Sequence, residues 1–195
     1  MNRNYEVFKG IKYAEAERFK NSKILNFIPK KYNSYGKICP QPHNPFNSIF
    51  STERQKLTQS EDCLYLNIWK NSSQNAKKPV MVWVHGGGFV NGHGSAEVNL
   101  PNVFVQNNDC IVVTFNYRLG AFGFLDLSSY GDYDVNIGLY DQLNAIKWVY
   151  QNIKKFGGDP ENITLAGQSA GAMSIQALLK IPDMKKYIKK GSVAK

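Results

Sequence analysis

The sequence contains no uninterrupted apolar run of about 18 residues, the minimum for a membrane-crossing helix. Its first residues, M-N-R-N-Y-E-V-F-K-G-I-K-Y-A, also lack the apolar core of a secretion signal. Arginine is scarce: only 4 of the 24 cationic residues are arginines, and the lysines are scattered, so the net charge of +9 forms no basic stripe interleaved with aromatics. Nucleic acid is therefore not an expected partner, and neither is a membrane. The three cysteines, Cys39, Cys63 and Cys110, are odd in number and contain no C-x-x-C pair. They read as reduced thiols, which together with the missing secretion signal implies a cytoplasmic protein. Histidine is equally sparse, at His43, His85 and His93 only, and His85 and His93 stand apart from any further ligand set, so neither a metal nor an organic cofactor is expected.

What is present is a globular composition over 195 residues, enough for one domain or part of one. No internal repeat or linker interrupts it. Residues 1–60 show little periodicity. Leu64 to Trp69 reads as a strand, and Pro79-Val80-Met81-Val82-Trp83-Val84 and Cys110 to Phe115 are continuous apolar runs, the mark of strands covered on both faces. Leu139 to Phe156 has helical spacing and ends at Gly157-Gly158. Ile163 to Ala166 is a short strand, and Ala170 to Ile181 is a helix stopped by Pro182. Strands alternating with helices in this way imply an α/β domain on a largely parallel sheet.

Two motifs sit where that alternation gives them meaning. Gly167-Gln168-Ser169-Ala170-Gly171 lies between a strand and a helix, the context of a nucleophile elbow, whose sharp turn needs small residues two before and two after the serine. His85-Gly86-Gly87-Gly88-Phe89 directly follows the strand 79–84. Glycine backbones can approach a substrate closely and offer N–H donors to a developing oxyanion. A flexible glycine turn would have the same composition. A phosphate cradle is not indicated, since neither G-x-x-x-x-G-K-[ST] nor a helix-opening G-x-G-x-x-G occurs.

Together with Glu61-Asp62-Cys63-Leu64-Tyr65-Leu66-Asn67, Asn116-Tyr117-Arg118-Leu119-Gly120 and Phe156-Gly157-Gly158-Asp159-Pro160, these motifs make the chain resemble the N-terminal part of a type B carboxylesterase, the cholinesterase-like branch of the α/β hydrolases, with bacterial para-nitrobenzyl esterases as the nearest likeness. The likeness runs from Phe8 to about Lys190, beyond which Gly191 to Lys195 leaves the pattern. It implies the N-terminal portion of an α/β-hydrolase fold over residues 1–195, with the C-terminal part of the domain absent. It implies a small-molecule carboxylic ester as substrate, Ser169 as nucleophile and carrier of the acyl-ester intermediate, and Gly87, Gly88 and Ala170 as oxyanion donors. Arg18, Glu61, Arg118 and Asp159 match positions that hold loops by ion pairs, and His85 matches a packing position. Gln168 stands where the family usually has Glu, and Lys12 where it usually has Pro. Cys39 and Cys63 match a pair bridged in secreted members, though thiols are expected here.

In this fold the nucleophile is followed along the chain by an Asp or Glu and then by the His. After Ser169 there is no histidine, and the only carboxylate is Asp183. The triad is therefore incomplete within these residues, which leaves two expectations: an esterase whose missing C-terminal half is supplied elsewhere, or a truncated, inactive fragment. A cholinesterase-like adhesion module is disfavoured by the retained Ser169. Strand 163–166 is expected to be left as an open sheet edge, making the isolated chain marginally stable or prone to aggregate.

Overall fold

The computed structural model describes residues 4–42 and 58–194; His43 lies outside them. The apolar runs assemble into one six-stranded sheet. Its strands are β1 (Tyr5–Lys12), β4 (Tyr65–Asn71), β5 (Lys78–Val84), β6 (Ile111–Phe115), β7 (Gly158–Gln168) and β8 (Lys190–Ala194). Two short strands, β2 (Ala14–Glu15) and β3 (Lys23–Ile24), form a separate antiparallel pair. Across the large sheet the order is β1-β4-β6-β5-β7-β8. The first two pairings are antiparallel, and β6-β5, β5-β7 and β7-β8 are parallel.

Among the described residues four α-helices accompany it: α1 (Asn102–Asn107), α2 (Gly120–Phe124), α3 (Ile137–Asn152) and α4 (Ala170–Leu178). Ile146, Trp148 and Val149 of α3, with Ile175 and Leu178 of α4, pack on Val80, Val82, Val113, Ile163 and Leu165 in the main core. A smaller cluster of Trp69, Val105, Cys110 and Val112, flanked by Val7 and Met81, covers the opposite face. The two faces are covered unequally, and the strands reflect it. All five residues of β6 are buried, as its apolar run predicts. In β5 only Lys78, Val80, Val82 and Val84 are buried, while Pro79 is exposed and Met81 and Trp83 are half-covered.

Several elements differ from the sequence expectation. β1 was not legible, because its Tyr5 to Lys12 alternates Lys, Glu and Gly with the apolar positions. The long helix starts at Ile137 and passes into a 3₁₀ turn over Ile153–Phe156. The strand leading to Ser169 is eleven residues long rather than four.

Two further expectations are corrected. Strand 163–166 is not an edge: after α4 and a 3₁₀ turn at Pro182–Lys186 the chain returns as β8, with Thr164 paired to Lys190 and Gln168 to Ala194. The residues read as off-pattern thus supply the neighbouring strand, and the open edge moves outward to β8. Cys39 and Cys63 are not thiols but a disulfide, their Cα atoms 4.9 Å apart. Ladder-like bonds from Ile38 N–H to Thr58 O and from Ser60 N–H to Ile38 O draw the two stretches together. Cys110 alone is free, and it is buried.

Candidate active site

The end of β7 delivers Ser169 into a backbone conformation with φ 54° and ψ −123°, which an L-residue with a Cβ rarely adopts. What enforces it is close contact between backbones. A Cβ at Gly171 would lie 2.1 Å from the carbonyl oxygen of Val84 at the end of β5, and one at Gly167 would lie 2.9 Å from the same oxygen. This is the requirement for small residues two before and two after the serine, in atomic terms. Gly171→Ala is expected to destabilise the protein by about 3 kcal/mol, the upper range for overpacking, because backbone cannot yield as a side chain does. Urea titration measures it, and a loss below ~1 kcal/mol would mean that the end of β5 shifts freely.

Ser169 is also the N-cap of α4, yet its side chain makes no capping hydrogen bond. A capping serine normally spends its oxygen on the helix N–H groups. Here the hydroxyl is left for other use, on an exposed residue.

The glycine loop faces it. A Cβ at Gly86 would stand 3.2 Å from Cβ of Ser169 and 2.6 Å from Oε1 of Gln168, so the loop backbone lies directly against the elbow. Gly87 (φ 114°), Gly88 (φ 62°) and Phe89 (φ 64°) then run in succession through positive φ. The turn closes on the carbonyl of Gly87, which accepts from the N–H groups of both Val90 and Asn91. Among the described residues, no acceptor takes the N–H of Gly87, Gly88 or Ala170. For Ala170, only 1% exposed, an unspent backbone donor is unusual, since buried N–H groups are nearly always paired.

His85 does not serve this serine. It is buried, stacked 4.4 Å from the ring of Tyr117, with Nδ1 2.8 Å from the carbonyl of Gly86. A carbonyl only accepts, so Nδ1 carries the proton, and the buried Nε2 has no partner among the described residues. Burial drives its pKa down from 6.5 to about 4, against the opposing pull of the Gly86 carbonyl. The packing role expected for His85 is the one its contacts describe. Nδ1 of His93 meets Oγ of Ser95 at 2.9 Å.

The charged motif residues hold the loops around the site. Arg18 and Glu61 form a two-pronged ion pair. Arg118 pairs with Asp141 of α3, a residue the motif reading did not single out, through Nε and Nη2 at 2.8 Å each. Asp141 stands on the buried face of α3 with Ile137, Ala145 and Trp148, and a charge on an apolar helix face is the signal that could have found it. Asn116 is a hub: its amide accepts from Gly94 N–H and donates to the carbonyls of Lys37 and Cys63. Tyr117 donates its hydroxyl to the carbonyl of His85. Among the described residues the bond at Asp159 is local, from the N–H of Glu161, and no ion pair forms there.

Sequence comparison decides the lineage. The family model described as "Carboxylesterase family" matches residues 1–193. The chain belongs to the carboxylesterase family. That match includes most of the C-terminal stretch read as off-pattern. Among relatives of this carboxylesterase chain, the para-nitrobenzyl esterase of Bacillus subtilis (strain 168) is 49% identical over 158 residues, 80% of this chain and 32% of that protein. The phenmedipham hydrolase of Pseudarthrobacter oxydans is 42% identical over 154 residues, 77% of this chain and 30% of that protein. A solved thermophilic para-nitrobenzyl esterase superposes with a TM-score of 0.89 at 41% identity, over 98% of this chain and 40% of that one. The α/β-hydrolase fold follows from these neighbours. The chain thus spans about a third of the length of the curated relatives it matches. Among the described residues, no helix is long and apolar enough to cross a membrane, and no cluster of three or more His, Cys, Asp or Glu could hold a metal ion.

Proposed function

We propose that this chain carries the nucleophile and oxyanion half of a carboxylic ester hydrolase. Ser169 Oγ attacks the ester carbonyl, and the N–H groups of Gly87, Gly88 and Ala170 receive the negative oxygen. The alcohol then leaves, an acyl-serine remains, and water releases the acid. One observation carries the reading: a serine held at φ 54° and free of capping lies against a glycine loop whose donors have no acceptor among the described residues. Each donor of this kind contributes on the order of 10²–10³ in rate.

The general base is the missing part. His85 is buried and stacked on Tyr117, and no histidine follows Ser169 in the sequence. In this proposal the base and its orienting carboxylate come from polypeptide outside these 195 residues, either continuous with them or as a second chain. That same absence favours a second reading, in which the 195 residues alone are catalytically inactive. The test is hydrolysis of p-nitrophenyl butyrate by the purified chain beside Ser169→Ala. Hydrolysis abolished by the substitution supports Ser169 as nucleophile and overturns the external base, because a base within the purified protein must then reach the serine. Equal rates in two folded proteins mean that the 195 residues alone are inactive, the result expected when the base lies on other polypeptide.

The cytoplasmic setting expected from the sequence rested partly on three reduced cysteines. With Cys39 and Cys63 bridged that support is gone, and the bond itself weighs toward an oxidising compartment.

A further inference from the structure

The return arm of the glycine loop is held by a side chain from a distant segment. Gly92 donates its N–H to Oε1 of Gln41 at 2.9 Å, and Nε2 of Gln41 donates to the carbonyl of Gly92 at 3.2 Å. A primary amide reproduces the donor and acceptor of a peptide group, so Gln41 clamps Gly92 as a neighbouring strand would. The clamp is itself anchored. Nε2 of Gln41 also donates to the carbonyl of Cys39, two residues back at the disulfide, and its backbone N–H donates to Oε1 of Gln59.

Gly92 is in turn pressed against the start of the loop. With φ 109°, a Cβ there would lie 2.6 Å from both the carbonyl oxygen of Gly86 and Nδ1 of His85. Gly86 presses on Ser169 from the other side. An unbroken line of contacts therefore runs from Gln41 through Gly92 and Gly86 to Ser169. Gly87 and Gly88 lie in the arc between the two clamped points, and among the described residues none of Gly87, Gly88 and Phe89 is held by a side-chain hydrogen bond.

We propose that Gln41 is a positioning residue that sets the distance between Ser169 and the N–H donors of Gly87 and Gly88. It touches no substrate. It acts by fixing where the return arm lies, and it rests on the oxyanion reading of those two glycines.

The test compares Gln41→Met and Gln41→Glu with the unaltered 195-residue chain. Methionine keeps the length and loses both bonds; glutamate can still accept from Gly92 N–H but turns a carboxylate oxygen toward the Gly92 carbonyl. The reporters are the amides of Val90 and Asn91, which both bond to the carbonyl of Gly87 and so read the order of the turn. Their hydrogen exchange, followed by NMR, is expected to quicken at least ~10-fold in both variants, while the amides of β5 and β6 keep their rates. Unchanged exchange at Val90 and Asn91 overturns the proposal. So does acceleration shared equally with β5 and β6, which would mean general destabilisation. Where Ser169-dependent hydrolysis is measurable, kcat falls ~10-fold or more with KM nearly unchanged, the pattern of an interaction made only in the transition state. If Ser169→Ala removes no hydrolysis, the chain alone is inactive for want of a base, and the exchange rates by themselves decide whether Gln41 orders the loop.

Discussion

Replacing Asp141 with alanine is expected to cost about 3–5 kcal/mol of folding stability and to lower the melting temperature by on the order of 10 °C. The Asp141 side chain is fully buried and that of Arg118 is 5% exposed. One carboxylate oxygen accepts from both the backbone N–H and Nε of Arg118, and the other accepts from Nη2. Removing the carboxylate strands a guanidinium that cannot lose its proton, with the carbonyl of Glu17 as its remaining bond among the described residues. Most of the loss is that stranding rather than the worth of the pair. The double replacement Arg118→Met with Asp141→Leu is therefore expected to recover most of the stability lost by the single change. Thermal melts of the two variants measure both effects. A single-variant loss below ~1 kcal/mol would mean that the guanidinium reaches water without cost.

Acid is expected to weaken the protein through His85. Its pKa is about 4 in the folded state, held down first by burial, while an unfolded chain carries histidine near 6.5. The unfolded state therefore binds the proton first as pH falls. The stability from keeping His85 neutral is complete above about pH 6.5, declines by up to ~1.4 kcal/mol per pH unit below it, and levels off below about pH 4. The total is about 3 kcal/mol. The carboxylates act at lower pH: Asp109, held down to about 2 by Lys78, Ser73 and Asn75, contributes stability that is lost between its ordinary range near 4 and about 2. The interval from pH 6.5 to 5 thus lies above the range in which Asp109 acts. Urea titrations at pH 7, 6 and 5 should show the decline, and His85→Gln should flatten it. A profile equally steep in that variant would assign the acid sensitivity elsewhere.

The sequence made the elbow legible because its constraint is local. Gly167 and Gly171 flank Ser169 at a fixed spacing, and the contacts that demand them lie within one strand, one turn and the neighbouring end of β5. β6 was legible for a similar reason: five buried residues in a row leave no doubt about two covered faces. β1 was not, since its place depends on Tyr5 pairing with Asn71 and Lys12 with Tyr65, partners some sixty residues away. The disulfide was misread on the same ground. Composition favoured thiols, whereas the register of Ile38 against Gln59 brings the two sulfurs together. Asn116, Tyr117 and Arg118 were recognised as a motif, but their separate duties toward Gly94, His85 and Asp141 exist only once the chain is folded. Gln41 carried no signal, for a lone glutamine in an irregular segment has no period to break.

The strand order has a consequence for how the protein is made. Across the sheet, β1-β4-β6-β5-β7-β8 nearly repeats the order along the chain, with only β5 and β6 exchanged. A polypeptide leaving the ribosome has released β1, β4, β5 and β6 once Phe115 is out, enough for a four-stranded sheet before any of β7 exists. The open flank of that nascent sheet is β5, with Val80, Val82 and Val84 awaiting Ile163, Leu165 and Gly167. At translation rates of about 5–20 residues per second, β7 begins to emerge roughly 2–9 s later. During that interval β5 is the edge at which another nascent chain can add itself, and the strand bearing Ser169 is the piece that closes it.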